Sequence, residues 1–268
     1  LSDGPSKPVV IGIFNPIETQ KRIVTIPLST GKVKVISLSG RKMVTDFICQ
    51  SSDFTSGCNL YFEDEFVGQA IQYYLLVPTT KYQKLKAQNL LFDRHGDYEI
   101  EIADDQYLKI HESFTKFQST INNEVFNWTL AYDYYQASCD SIQNSGAYIF
   151  EPSPGTSRES YASPSSYAVY IGRVVTQIQI TWGEQLITRI SIFGNLSNIK
   201  IETFLAEINV DDGVGKEIVM VIGTDINNNG VFYTDSNGME MVMRKLNWRA
   251  NWDLEVLQPV SGNYYPIS

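Results

Sequence analysis

Short apolar runs, most alternating with polar residues and closed by turn signals, set the pattern of this chain. Val9-Val10-Ile11-Gly12-Ile13-Phe14 ends at Asn15-Pro16, which predicts a strand followed by a turn. Residues 22–28 and 32–36 alternate apolar with polar, as half-buried strands do. Residues 69–78 predict a further strand, and residues 82–92 fit either a strand or a helix. Together these runs predict a small β-sandwich over residues 1–95.

Asp93-Arg94-His95-Gly96-Asp97 reads as a boundary. Strand patterns resume at 98–102 and 107–110, continue through the aromatic-rich 123–135, and recur at 176–180, 186–193, 199–210 and 217–223. Residues 153–166 are rich in Ser, Pro and Gly and predict a loop. No segment holds a 3.6-residue period for long, and no internal repeat is visible. The class expected is all-β, with turns spaced as in sandwiches.

The densest signal lies between residues 231 and 268. Asn237-Gly238 favours a type I′ turn, because both central positions of that turn need positive φ. Phe232 and Tyr233 lead into it, and Met239, Met241 and Met243 leave it with a period of two. Trp248 and Trp252 follow. The pattern predicts a hairpin packed on an aromatic-rich core.

Composition narrows the function classes. Of 268 residues, 43% are apolar and 19% charged, which is globular rather than disordered. The net charge of −9 disfavours a nucleic-acid partner. No apolar run reaches the roughly 20 residues of a membrane helix, so no membrane span is expected. Leu1-Ser2-Asp3-Gly4-Pro5 has neither a basic n-region nor an apolar h-region, which fits either a cytosolic protein or a mature or excised piece of a longer secretory chain; the missing initiator Met favours the piece. Cys49 and Cys58 could bridge and staple the loop between them, leaving Cys139 over; three free thiols is the other reading. Asn127-Trp128-Thr129 and Asn195-Leu196-Ser197 are glycosylation sequons, in which a turn could expose each Asn.

Catalytic constellations are sparse. His95 and His111 are not spaced as metal ligands, so no zinc site is expected within the chain. Residues 225–230 imitate the first half of a calcium loop, but Ser236 stands at the twelfth place, where a bidentate Glu is needed; a polar turn is expected instead. Asp211-Asp212-Gly213 also reads as a turn. Asp104-Asp105 and Glu63-Asp64-Glu65 read as solvated turns rather than a catalytic carboxylate pair.

Four strings resemble glycoside hydrolase family 38, the lysosomal-type α-mannosidases. They are residues 145–152 (Ser-Gly-Ala-Tyr-Ile-Phe-Glu-Pro), 215–219, 232–238 (Phe-Tyr-Thr-Asp-Ser-Asn-Gly) and 262–266 (Gly-Asn-Tyr-Tyr-Pro). Glu151 stands where the family commonly has Arg. The resemblance runs from Val9 to the end. It implies an immunoglobulin-like sandwich over 1–95, then the first part of a galactose-mutarotase-like supersandwich over 96–268.

The family's enzymes are retaining, zinc-dependent exo-α-mannosidases that remove terminal α-D-mannose from N-glycan-type oligosaccharides. Their nucleophilic Asp and zinc ligands lie in an N-terminal domain, in motifs of the His-x-Asp and His-Asp-Ala type that do not occur here. The resemblance therefore implies a non-catalytic β portion that completes the pocket of an N-terminal catalytic domain or chain, and is inactive alone. It implies zinc held outside this chain, mannose-containing glycans as ligands, a lysosomal, vacuolar or secreted location, and leaves room for a homo-oligomer. Tyr148 and Arg244 map to the mannose pocket, and Asn127 and Asn195 are the expected glycan sites. The alternative is a free-standing carbohydrate-binding or structural β-sandwich module.

Overall fold

The computed structural model describes residues 7–29, 32–52, 55–81, 84–103, 106–121, 123–138, 145, 152–153, 158–193, 199–235 and 237–245. Among them the protein is all-β, with no helix. The first strands are β1 (Val9–Asn15), β2 (Gln20–Leu28), β3 (Val33–Ser37), β4 (Thr45–Ser52), β5 (Thr55–Phe66) and β6 (Ala70–Pro78). Then come β7 (Asp97–Ala103), β8 (Gln106–His111), β9 (Lys116–Ile121), β10 (Glu124–Gln136), β11 (Glu159–Ala162) and β12 (Pro164–Ile171). The last are β13 (Val175–Trp182), β14 (Leu186–Phe193), β15 (Ile199–Leu205), β16 (Lys216–Thr224), β17 (Val231–Asp235) and β18 (Met241–Lys245). The chain folds as two compact units, the first being 1–114, 120–123 and 164–206, and the second the remainder.

In the first unit, sheets β1-β6-β3 and β2-β5-β4 enclose one core of Val33, Val35, Phe47, Leu60, Phe62, Phe66, Tyr74 and Leu76. This is the small sandwich that the alternating runs predict. Asn15 closes β1 as expected: its Nδ2 donates to the carbonyls of Glu18 and Phe66 at 3.0 and 3.2 Å, pinning the turn against the end of β5.

Strands β4 and β5 contribute side chains to two cores. Ile48 and Tyr61 point away from the first core and meet Tyr170, Val174, Val175 and Phe193 of the four-stranded sheet β12-β13-β14-β15. Every residue of β14 is buried. Its polar members find partners: Thr188 accepts from Trp182 Nε1 at 3.0 Å, and Ser191 from Gln177 Nε2 at 2.9 Å. The Arg189 guanidinium lies over the Phe204 ring at 4.2 Å, and burial lowers its pKa from the usual arginine value. The hairpin β7–β8 completes this unit's strands.

In the second unit β10 is central, with β9 and β11 on one side and β16 on the other. Trp128 to Gln136 pair antiparallel with Thr224 to Lys216. Phe117 and Trp128 stack with centroids 4.2 Å apart, and Trp128 Nε1 donates to Ser119 Oγ at 2.9 Å.

Three expectations change. Residues 84–92 are neither strand nor helix; they touch strands through single bridges, Phe47↔Lys84 and Gln88↔Val169. The stretch 153–166, expected to be a loop, contains β11 and the start of β12; β11 is a bulged edge strand pairing only three residues with β10, short enough for its Ser-rich composition to conceal. The Cys49–Cys58 bridge forms and the reading of three free thiols falls, but the bridge spans a hairpin rather than a loop. The two cysteines face each other in the β4–β5 hairpin and form a cross-strand disulfide. Cys139 lies outside the described residues.

Candidate functional site

The hairpin β17–β18 carries Arg244, one of two residues that the motifs assign to a sugar pocket. Asn237 and Gly238 sit at φ 51° and 72°, as that dipeptide predicts. Gly238 N–H donates to Asp235 Oδ2 at 2.8 Å and tightens the turn. The last pair is Asp235↔Met241, so the connection runs from 236 to 240 rather than over Asn-Gly alone.

That longer connection decides which residues share a face. A two-residue turn on Asn237-Gly238 pairs Thr234 with Met241; the observed register pairs Thr234 with Val242 and Phe232 with Arg244. A slip of one residue exchanges the faces. Phe232, Thr234, Val242 and Arg244 therefore form one half-buried face, while Tyr233, Met241 and Met243 are 59%, 65% and 54% exposed on the other. Among the described residues, Met239, Met241 and Met243 are exposed rather than packed on an aromatic core.

On the half-buried face Arg244 Nε donates to Thr234 Oγ1 at 2.6 Å. Arg244 Nη1 is buried and has no acceptor among the described residues. Tyr148 and Asn195 lie outside the described residues, as do Trp248, Trp252 and residues 262–266. Asn127 is exposed, but on β10 rather than in a turn; its Nδ2 donates to Asp225 Oδ2 at 2.7 Å and its Oδ1 accepts from Gln118 Nε2 at 2.9 Å.

The remaining candidates resolve into local structure. His95 Nε2 accepts from Arg94 Nε, and His111 Nδ1 accepts the Ser113 N–H. Among the described residues no three His, Cys, Asp or Glu side chains converge as a metal site, so this part of the chain does not fit a zinc ion. Asp225, Asn227 and Asn228 spend oxygens on Asn127, Asn229 N–H and Gly230 N–H, which is a polar turn. Asp212 accepts from Val214 N–H and Lys216 Nζ around Gly213 at φ 74°, and these bonds, that to Lys216 first, lower its carboxyl.

Within Glu63-Asp64-Glu65 the middle carboxylate pairs with Arg41 and accepts Tyr74 Oη–H at 2.8 Å. Burial works to raise Asp64, but the hydrogen bonds from Arg41, Tyr74 and the Glu65 N–H prevail and lower it. Burial, then the bond to Asp64, raises Tyr74 far above the usual tyrosine value. Asp104-Asp105 lies outside the described residues.

A model of the glycosyl hydrolases family 38 C-terminal domain matches residues 96–268. The chain belongs to glycosyl hydrolase family 38. It is 28% identical to a probable α-mannosidase of Arabidopsis thaliana over all of its own length and 29% of that protein's. It is 31% identical to the lysosomal α-mannosidase of Dictyostelium discoideum over 58% of the chain and 15% of that protein. The mouse lysosomal α-mannosidase is also 31% identical, over 68% of the chain and 19% of that protein. The chain thus spans less than a third of these relatives' length.

Thr234 was not singled out by sequence. Its signal was the position two residues from Phe232, but using it requires the register set between 235 and 241, which the Asn-Gly dipeptide does not supply.

Proposed function

We propose that this chain is the C-terminal β portion of a retaining, zinc-dependent exo-α-mannosidase that removes terminal α-D-mannose from N-glycan-type oligosaccharides. The observation that carries the reading is the family match over 96–268 together with α-mannosidase relatives along the whole chain. The nucleophile and the zinc come from an N-terminal domain or chain. The task of this portion is to complete the sugar pocket, with Tyr148 and Arg244 at its wall. The buried Nη1 of Arg244, unpaired among the described residues, supports this, since a desolvated cationic N–H calls for an oxygen acceptor. A domain boundary after residue 95 is part of the proposal: the family match begins at residue 96, whereas the compact units divide elsewhere, with 96–114 and 164–206 grouped with the first sandwich.

A lysosomal or otherwise secretory location is part of the proposal. The Cys49–Cys58 disulfide supports it, because such bonds persist in oxidising compartments. So do relatives named as lysosomal. Asn127, exposed on β10, and Asn195 are the proposed glycan sites.

Tyr148→Phe in the complete enzyme tests the pocket. Loss of a hydroxyl that pairs with sugar or carboxylate costs about 1–3 kcal/mol, so kcat/KM should fall roughly ten- to a hundredfold at constant melting temperature. Unchanged kinetics, or a loss that follows a drop in melting temperature, returns Tyr148 to the core.

A further inference from the structure

We infer that Thr234 is the positioning residue for Arg244: its hydroxyl fixes the guanidinium through Nε, so that Nη1 is presented to an oxygen acceptor from outside this chain. The inference rests on the reading of Arg244 as a pocket-wall residue.

Arg244 faces Phe232 directly across the hairpin, and Thr234 is its diagonal neighbour on the same face. Only the observed register brings them together, and the 2.6 Å bond from Nε to Oγ1 records the contact. A guanidinium is a rigid planar fork. Holding Nε therefore sets the direction of both Nη groups, which a contact to a flexible ammonium would not do. Nη1 is then buried with no partner among the described residues, although the neighbouring donor is satisfied. A desolvated cationic N–H left in that state is costly. The arrangement suits a donor held ready for a sugar hydroxyl or a carboxylate of the domain that completes the site.

The threonine is suited to this role. Its methyl group serves a half-buried strand position, and its hydroxyl accepts without charge. Valine keeps the shape and strand preference but removes the acceptor, whereas serine keeps the acceptor. Lysine at 244 cannot reproduce the Nε bond and the Nη direction together.

The experiment is a double-mutant cycle in the complete enzyme, reading kcat/KM on an aryl α-mannoside and the melting temperature of each variant. Thr234→Val should lower kcat/KM roughly tenfold in the wild-type background, the expected effect of losing a hydrogen bond to a charged group. Thr234→Ser should return it to within about twofold, and Thr234→Val should cost nothing further in an Arg244→Gln background. If Arg244→Gln is impaired but Thr234→Val is not, the positioning role is wrong and the pocket reading stands. A Thr234→Val loss that persists in the Arg244→Gln background also overturns the role, because it then reflects folding. An unimpaired Arg244→Gln removes both the role and the assignment of Arg244 to the pocket.

Discussion

The carboxylate of Asp46, on β4, accepts the backbone N–H of Val174, a residue 128 positions later in the chain, at 2.5 Å. The same Oδ2 takes the Val175 N–H at 3.0 Å. Asp46 is 5% exposed, so one buried charge is met by two donors of the β12–β13 turn. This clasp joins the β2-β5-β4 sheet to the four-stranded sheet within the first unit. Asp46→Ala leaves both donors buried without an acceptor and should cost about 2–3 kcal/mol in denaturant unfolding. Gly172→Ala should be destabilising too, because a Cβ there would lie 2.2 Å from Asp46 Oδ2 and 2.7 Å from the Val175 carbonyl. Both variants melting like the wild type would show that the clasp contributes nothing.

The disulfide between Cys49 and Cys58 locks the register of the β4–β5 hairpin, where both cysteines are buried. The closed loop is short, with a sequence separation of 9, so the expected stabilisation is at the lower end, about 2–3 kcal/mol. Thermal melting with and without a thiol reductant, and of a Cys58→Ser variant, should show matching losses. Identical melting in all three would contradict a structural bridge.

Asp64 gives the first unit an acid-sensitive contact. Its folded carboxyl lies below its ordinary value, so its contribution is present above about pH 4. That contribution is lost as pH falls through the lower, folded value. Tyr74 is shifted upward, so its contribution is present below its ordinary value near pH 10 and is lost as pH rises toward the folded one. Melting curves from pH 7 down to 3 should fall less steeply for Asp64→Asn than for the wild type. Parallel pH profiles would show that the Arg41–Asp64–Tyr74 group does not couple protonation to folding.

The strands most legible in the sequence were those with one wet face. Residues 22–28 and 98–102 alternate, and they became β2 and β7. β4 and β5 were not legible, because Leu60 and Phe62 serve one core and Tyr61 another, which erases the alternation. The acidic run after Phe62 further resembles a solvated turn, yet it continues β5. At the candidate site the positive-φ Asn237-Gly238 pair was legible, and Arg244 was named only by the motif resemblance. The partner Thr234 was not legible, since it depends on a one-residue register that the longer connection between β17 and β18 resets.

Hydrolysis of an aryl α-mannoside by separated halves tests the central claim most directly. The chain alone, the N-terminal catalytic domain alone and the two together are assayed with zinc present. The account predicts turnover only when both are combined, with Arg244→Gln lowering the reconstituted rate. Appreciable turnover by the pure chain, or full activity of the N-terminal domain without it, would contradict the account.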